Sequence, residues 1–159
     1  MLKKMSFILL LTLFVGCQGE AQEQKKEAFA VQKTTAQWKA TLTPDQFYIL
    51  REEGTERPFT SDLLAIKKPG TFKCAGCGTP LFKTKHKFDS GTGWPSFDRA
   101  IEGNVAYSTD NKLGYTRVEE HCATCGGHLG HVFDDGPRAT TGKRHCINGD
   151  ALVFEPANQ

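Results

Sequence analysis

The chain has 159 residues, 38% of them hydrophobic and 24% charged, which suits one globular domain with a core of its own and excludes a disordered chain. Its formal charge of +2 comes from two lysines within the first sixteen residues, so the remainder is neutral. A neutral body without a basic stripe argues against nucleic acid as a partner.

Lys3 and Lys4 make a basic start, and an apolar run from Phe7 to Val15 follows, broken only by Thr12. This pattern predicts a signal peptide over residues 1–16, too short to span a bilayer. The run ends in Leu13-Phe14-Val15-Gly16-Cys17, which resembles the lipobox of bacterial lipoproteins, with Phe14 a looser match than the usual leucine. The resemblance implies cleavage before Cys17, lipid attachment to it, and an extracytoplasmic, membrane-anchored protein in the periplasm or on the cell surface. A plain secretory signal or an uncleaved anchor is the alternative. Residues 17–36, rich in Gln, Glu and Lys, read as a solvated tether, leaving 37–159 as the folded domain, expected to be monomeric.

In "LTPDQFYILREEG" Thr43 can cap a helix, Pro44 suits its first position and Gln46 completes a capping box. Leu42 and Phe47 occupy the staple positions and Gly54 can end the helix. Residues 61–66 add another turn or two. From Gly70 onward short β-leaning runs follow at 71–73, 105–109, 113–118 and 151–154, with a hairpin turning at Asp110-Asn111-Lys112. Strands without long intervening helices predict antiparallel sheets.

Cys74-Ala75-Gly76-Cys77-Gly78 and Cys122-Ala123-Thr124-Cys125-Gly126 repeat one C-x-x-C-G unit. One tight turn presents two thiolates, and the glycine frees the backbone to aim amide N–H groups at sulfur, so two such turns predict a closed four-cysteine zinc site. The 44 residues between them mean that the ion would clip distant parts of the domain together. Disulfides are the competing reading in an oxidising compartment, although a C-x-x-C disulfide closes a loop too small to stabilise much. A thioredoxin-like redox role is disfavoured, because neither pair opens a helix in a βαβ unit.

With Cys17 lipidated and four thiolates on metal, Cys146 in "KRHCINGDAL" is left over. If 144–148 is extended, Arg144, Cys146 and Asn148 share one face, where the guanidinium favours the thiolate and the amide can bond sulfur or a substrate oxygen. His128 and His131 in "GGHLGHVFDDG" can supply protons. A lone strand cysteine is more often an inert core residue, but a cation, an amide and two histidines are the parts of a thiol-based redox catalyst.

"GTERPF", "KCAGCGTPLF", "KFDSGTGWPSF", "CATCGGHLGHVFDDGP" and "RHCIN", in that order, resemble the methionine sulfoxide reductases of the B class, which act on the R epimer, from about Trp38 to Pro156. The resemblance implies a mainly β fold of two small antiparallel sheets with short N-terminal helices. It also implies a structural zinc on Cys74, Cys77, Cys122 and Cys125 and Cys146 as the nucleophile. Trp94 would receive the substrate's S-methyl group, and His128 and His131 would position or protonate the sulfoxide oxygen. Asn148, Arg144 and Asp135 would support them. Oxidised proteins or peptides are the implied substrates, a cysteine sulfenic acid the intermediate, and a thioredoxin-like dithiol the reductant.

The sequence departs from that pattern at three places. Thr92 stands where many members carry a resolving cysteine, His145 where an aromatic is usual, and Gly149 where serine commonly follows the asparagine. An external reductant is therefore expected, rather than a thiol surrendered by the metal. Two other functions fit parts of the chain. One is a zinc-stabilised, membrane-anchored binding module with Cys146 merely buried. The other is a secreted thiol–disulfide oxidoreductase that uses a C-x-x-C pair and binds no metal.

Overall fold

The computed structural model describes residues 29–158, so the signal segment, Cys17 and the first part of the proposed tether lie outside the described residues. Two short helices open the described chain. The first, α1 (Thr35–Thr41), is one of the short N-terminal helices the resemblance implies, at a position no motif was read for, although Thr34 and Gln37 form a capping box there as Thr43 and Gln46 do for α2 (Pro44–Glu52). Both boxes pair the cap hydroxyl with the third amide and return the glutamine to the cap N–H. The second helix ends at Glu53 (φ 56°), one residue before the glycine expected to stop it. The turn expected at 61–66 is a short 3₁₀ helix, Asp62–Ala65. No helix among the described residues is long and apolar enough to cross a membrane.

Nine strands follow: β1 (Gly70–Cys74), β2 (Pro80–Lys83), β3 (Lys87–Phe88), β4 (Ser96–Phe97), β5 (Val105–Asp110), β6 (Arg117–Cys122), β7 (His128–Phe133), β8 (Arg144–Ile147) and β9 (Leu152–Pro156). They form a three-stranded sheet, β2-β1-β9, and a six-stranded one, β3-β4-β8-β7-β6-β5, with every pairing antiparallel. The mainly β fold of two antiparallel sheets with short N-terminal helices is therefore as expected. Within it, the run expected at 113–118 begins instead at Arg117. The β5–β6 hairpin forms, but its turn spans 111–116, because Asp110 still pairs with Arg117 and Lys112 N–H closes back onto the Asp110 carboxylate at 2.8 Å.

The two sheets and α2 enclose one apolar core. Phe72 and Phe82 of the small sheet meet Phe97 of the large one, with ring centroids 5.0 and 4.4 Å apart, while Ile49 and Leu50 close it from the helix. All five are at most 2% exposed, and burying a side chain of this size contributes about 1.5–3 kcal/mol. The large sheet thus has a core face and an open face, and strand alternation assigns its side chains between them. Glu120 and His145 fall on the core face, where Glu120 Oε1 lies 2.5 Å from His145 Nδ1. His145, which stands where an aromatic is usual, is turned away from the open face for that reason.

Candidate active site and candidate metal centre

The open face of the large sheet carries one transverse row. Register pairs Ser108 on β5 with Glu119 on β6, Glu119 with His131 on β7, His131 with Cys146 on β8, and Cys146 with Ser96 on β4. Paired residues point the same way, so the fold delivers the thiol and an imidazole side by side although 15 positions separate them. His128 should face the core by strand alternation. A bulge opposite Glu120/His121 gives β7 one extra residue at that point and returns His128 to the open face, its ring centroid 5.6 Å from that of His131. Gly130 makes the crossing possible, since a Cβ there would sit 2.0 Å from the Cys146 carbonyl oxygen.

Above this row lies a cavity of about 140 Å³, walled by Cys146, Trp94, His131, Asn148, Arg117 and Phe133. Four of the residues singled out from the sequence meet there. His128 does not line it; its Nδ1 lies 2.7 Å from Glu119, in a smaller recess that also reaches His131. Arg144 and Asp135 stand beside the cavity as a fork, Arg144 Nε and Nη2 donating to the two carboxylate oxygens at 2.8 and 2.9 Å. Asp135 thus orients the arginine and reaches neither histidine. The groups holding the histidines are Glu119 and, for His131, Asp110 at 2.8 Å, neither of which sequence reasoning singled out. Asp110 had the look of a turn residue; the alternation of Glu119 with Arg117 on β6 was the signal for the other.

Burial dominates the titration of this site. It pushes the Cys146 thiol above its usual value, against the Arg144 guanidinium and a hydrogen bond with Thr92 that pull it down. It also lowers His131, outweighing Asp110, so the ring is neutral near pH 7. A neutral imidazole bonded through Nε2–H to Asp110 presents a bare Nδ1, a proton acceptor. Asp110 itself stays ionised, held low by the Lys112 amide and then by His131 and Arg117. Arg144→Met, which removes the cation and leaves burial unopposed, is expected to move the pH dependence of Cys146 alkylation by iodoacetamide, followed by peptide mass spectrometry, to higher pH. An unmoved or lowered midpoint would contradict the role given to Arg144.

Glu56, in the first of the shared motifs but given no role from sequence, ties the site together. Its carboxylate accepts from the Gly149 and Asp150 amides at 2.7 and 2.9 Å, its N–H donates to Asn148 Oδ1, and its carbonyl accepts from Trp94 Nε1 at 3.2 Å. Asn148 Nδ2 donates to the Leu129 carbonyl at 3.0 Å, so this amide chiefly fixes the backbone behind the thiol. The space a serine would need at position 149 is filled by Ser61, 1.9 Å from where its Cβ would lie.

The four knuckle cysteines converge at the other functional feature. Cys74 and Cys77 come from the end of β1 and the turn after it, Cys122 and Cys125 from the end of β6 and the turn after it, so the cluster bridges the two sheets. Each turn closes with a 2.8 Å bond, Gly78 N–H to the Cys74 carbonyl and Gly126 N–H to that of Cys122. The four sulfurs lie within 4.8 Å of one another, with Cys74–Cys125 at 3.7 Å and Cys77–Cys122 at 3.5 Å. A tetrahedral zinc with Zn–S of about 2.3 Å requires S···S of about 3.8 Å, so the set fits a metal and is compatible with zinc. The described cysteines are all free of disulfides. Four thiolates this close repel one another, so they can coexist there only around a cation. Trp38 and Leu50 cover Gly76, and Arg51 donates to the Cys125 carbonyl at 3.0 Å, which explains why the two N-terminal helices pack here.

Comparison with known proteins agrees with this geometry. A family profile described as the SelR domain matches residues 42–156. "Peptide methionine sulfoxide reductase MsrB" of Chromohalobacter salexigens is 49% identical over 127 residues, covering 79% of this chain and 96% of that protein. The protein of the same name from Agrobacterium fabrum is 51% identical over 127 residues, 79% of this chain and 93% of that one. "Methionine-R-sulfoxide reductase B3, mitochondrial" of Mus musculus is 51% identical over 118 residues, 74% of this chain and 46% of that one.

Proposed function

The chain belongs to the SelR-domain family of peptide methionine sulfoxide reductases, and from that membership we propose that the Cys146 cavity is where its reaction takes place. The chain is a peptide-methionine (R)-S-oxide reductase and acts in the repair of oxidised methionine. What carries the assignment of the site is the single cavity in which Cys146, Trp94 and His131 meet. Trp94 offers an indole face to the S-methyl group, a soft contact suited to sulfur and methyl, and Glu56 fixes that ring.

The Cys146 sulfur attacks the sulfoxide sulfur, and its proton passes by way of His131 to the sulfoxide oxygen, which leaves only when protonated. As the protonated oxygen passes from the substrate sulfur to Cys146, the S–O bond and the S–S bond made by the attack both break, so thiol plus sulfoxide becomes sulfenic acid plus thioether without outside electrons. His128, through Glu119 and its contact with His131, keeps the second ring in place. Arg144, held by Asp135, favours the thiolate as the proton departs. Thr92 stands against Cys146 in a row of hydroxyls, Thr92–Ser90 and Ser90–Ser96, each 2.8 Å apart, where it can donate a hydrogen bond but cannot form a disulfide. Regeneration then falls to an external thioredoxin-like dithiol: one thiol condenses with the sulfenic acid and releases water, and the second frees Cys146 as the reductant's disulfide closes. The four knuckle cysteines would hold a structural zinc, which clips the sheets and takes no part in the chemistry. A monomer outside the cytoplasm, on a lipid at Cys17, is the reading supported by the sequence alone.

Incubating the domain with separate R and S epimers of a peptide methionine sulfoxide and dithiothreitol is expected to give methionine from R only. Turnover of S, or of neither epimer by folded protein, would overturn the assignment.

A further inference from the structure

A second concavity of about 440 Å³ adjoins the Cys146 cavity, and Trp94 lines both. Phe59, Leu64 and Ile66 line it with apolar surface, and Lys67 and Lys87 line it with charge. Phe59 is 69% exposed and holds a left-handed backbone at φ 65°, a conformation that a bulky residue keeps only when its surroundings impose it. The restraint is visible: Phe59 N–H donates to the Gly93 carbonyl at 2.8 Å, and Gly93 (φ 92°) approaches so closely that a Cβ there would lie 2.9 Å from the Phe59 nitrogen. An exposed aromatic ring is thus held at the edge of the groove at a cost in backbone strain.

The cations are unbalanced. Neither Lys67 nor Lys87 is in an ion pair among the described residues. Lys87 spends one ammonium proton on the Leu64 carbonyl at 2.7 Å and keeps two for the groove. Burial lowers the Lys87 pKa from its usual lysine value, and Asp89, exposed on the same wall, opposes that shift without an ion-pair contact.

The cavity over Cys146 has room for a methionine sulfoxide side chain and little more, so the polypeptide carrying it must continue outside, and the groove across Trp94 adjoins it. We propose that this groove is a subsite for residues flanking the oxidised methionine, taking an apolar side chain against Phe59, Leu64 and Ile66 and an acidic one at Lys67 and Lys87. The inference rests on reading the Cys146 cavity as the sulfoxide site.

The test is kcat/KM on three R-sulfoxide probes: N-acetylmethionine sulfoxide, a peptide with Phe and Glu beside the sulfoxide, and the same peptide with Lys for Glu. Wild-type protein, Lys67→Glu and Phe59→Gly are compared, glycine being chosen because it accepts the left-handed backbone without strain. The acidic peptide is expected to be preferred by wild type, and Lys67→Glu to cut its kcat/KM on the order of fivefold, to favour the lysine peptide, and to leave the acetylated amino acid unchanged. Phe59→Gly should weaken both peptides alone. Equal use of the two peptides by wild type and both variants would overturn the subsite while the activity stood. No turnover of any probe would overturn the site reading itself, and the subsite with it.

Discussion

Replacing Cys146 with serine is expected to lower kcat/KM for a peptide methionine-R-sulfoxide by on the order of 10³-fold or more, with the fold intact. The side chain is half-buried and its neighbours are an arginine, a threonine hydroxyl and an imidazole, all of which tolerate a hydroxyl in place of a thiol. Stability should therefore change by no more than about 1 kcal/mol. Activity cannot survive in the same way, because a serine hydroxyl at neutral pH is a far weaker nucleophile toward sulfur and has no sulfenic acid state to receive the oxygen. No other described thiol can take over, since the remaining four are gathered in the knuckle cluster and none lines the cavity. Circular dichroism and metal content alongside the rate separate loss of chemistry from loss of fold. More than about a tenth of the wild-type rate in a folded variant would remove Cys146 from the reaction and require another nucleophile.

In the proposed chemistry the two histidines would carry unequal parts, and the sheet register gives the division. His131 sits opposite Cys146 in the ladder and lines its cavity, so it can exchange a proton with the thiol or the substrate. His128 reaches the same face only by way of the β7 bulge and ends against Glu119. Its influence runs through the ring beside it and through a carboxylate that burial raises but that hydrogen bonds from His128 and Ser108 hold low overall. Glu119 and Asp110 are therefore positioning groups, one to each imidazole.

Much of this was legible in the sequence because it is local. The capping box of α2 lies within four residues, the two knuckles each within five, and the β5–β6 pairing follows from a turn-rich stretch between β-leaning runs. What escaped depends on distant partners. Strand β7 hides behind three glycines: Gly126 takes the positive φ (67°) of the knuckle turn, Gly127 lies close to Leu50 of α2, and Gly130 lies close to the Cys146 carbonyl of β8. Strands β3 and β4 are two residues long and have no periodicity to read. Asp110 looks like any residue entering a turn until the sheet brings His131 to it from 21 positions away. Glu56 gains its importance from bonds to amides more than 90 positions on. His145 illustrates the reverse: placed next to the nucleophile in sequence, it faces the core, because neighbours in a strand point to opposite sides.

Stripping the metal from the four-cysteine cluster is expected to unfold the domain and so to abolish activity, even though the cluster touches no part of the cavity. Cys74 and Cys122 end β1 and β6, so an ion held by the four thiolates would join the small sheet to the large one at a point where the described chain makes no disulfide. A structural zinc contributes on the order of 10 kcal/mol, comparable to the whole stability of a domain of this size, roughly 5–15 kcal/mol. Without it the buried thiols are left within 4.8 Å of one another, unable to ionise together, and the packing of Trp38 and Leu50 over the knuckles loses its support. Elemental analysis should find one zinc per chain. A strong chelator, or Cys74→Ser, should replace the cooperative thermal transition with a sloping baseline, and added zinc should restore the transition in the chelated protein but not in the variant. Because thiolates are the ligands, the effect should deepen as pH falls and protons compete for sulfur. Metal-free protein with an unchanged Tm and full activity would show that the sheets hold together through the aromatic core alone.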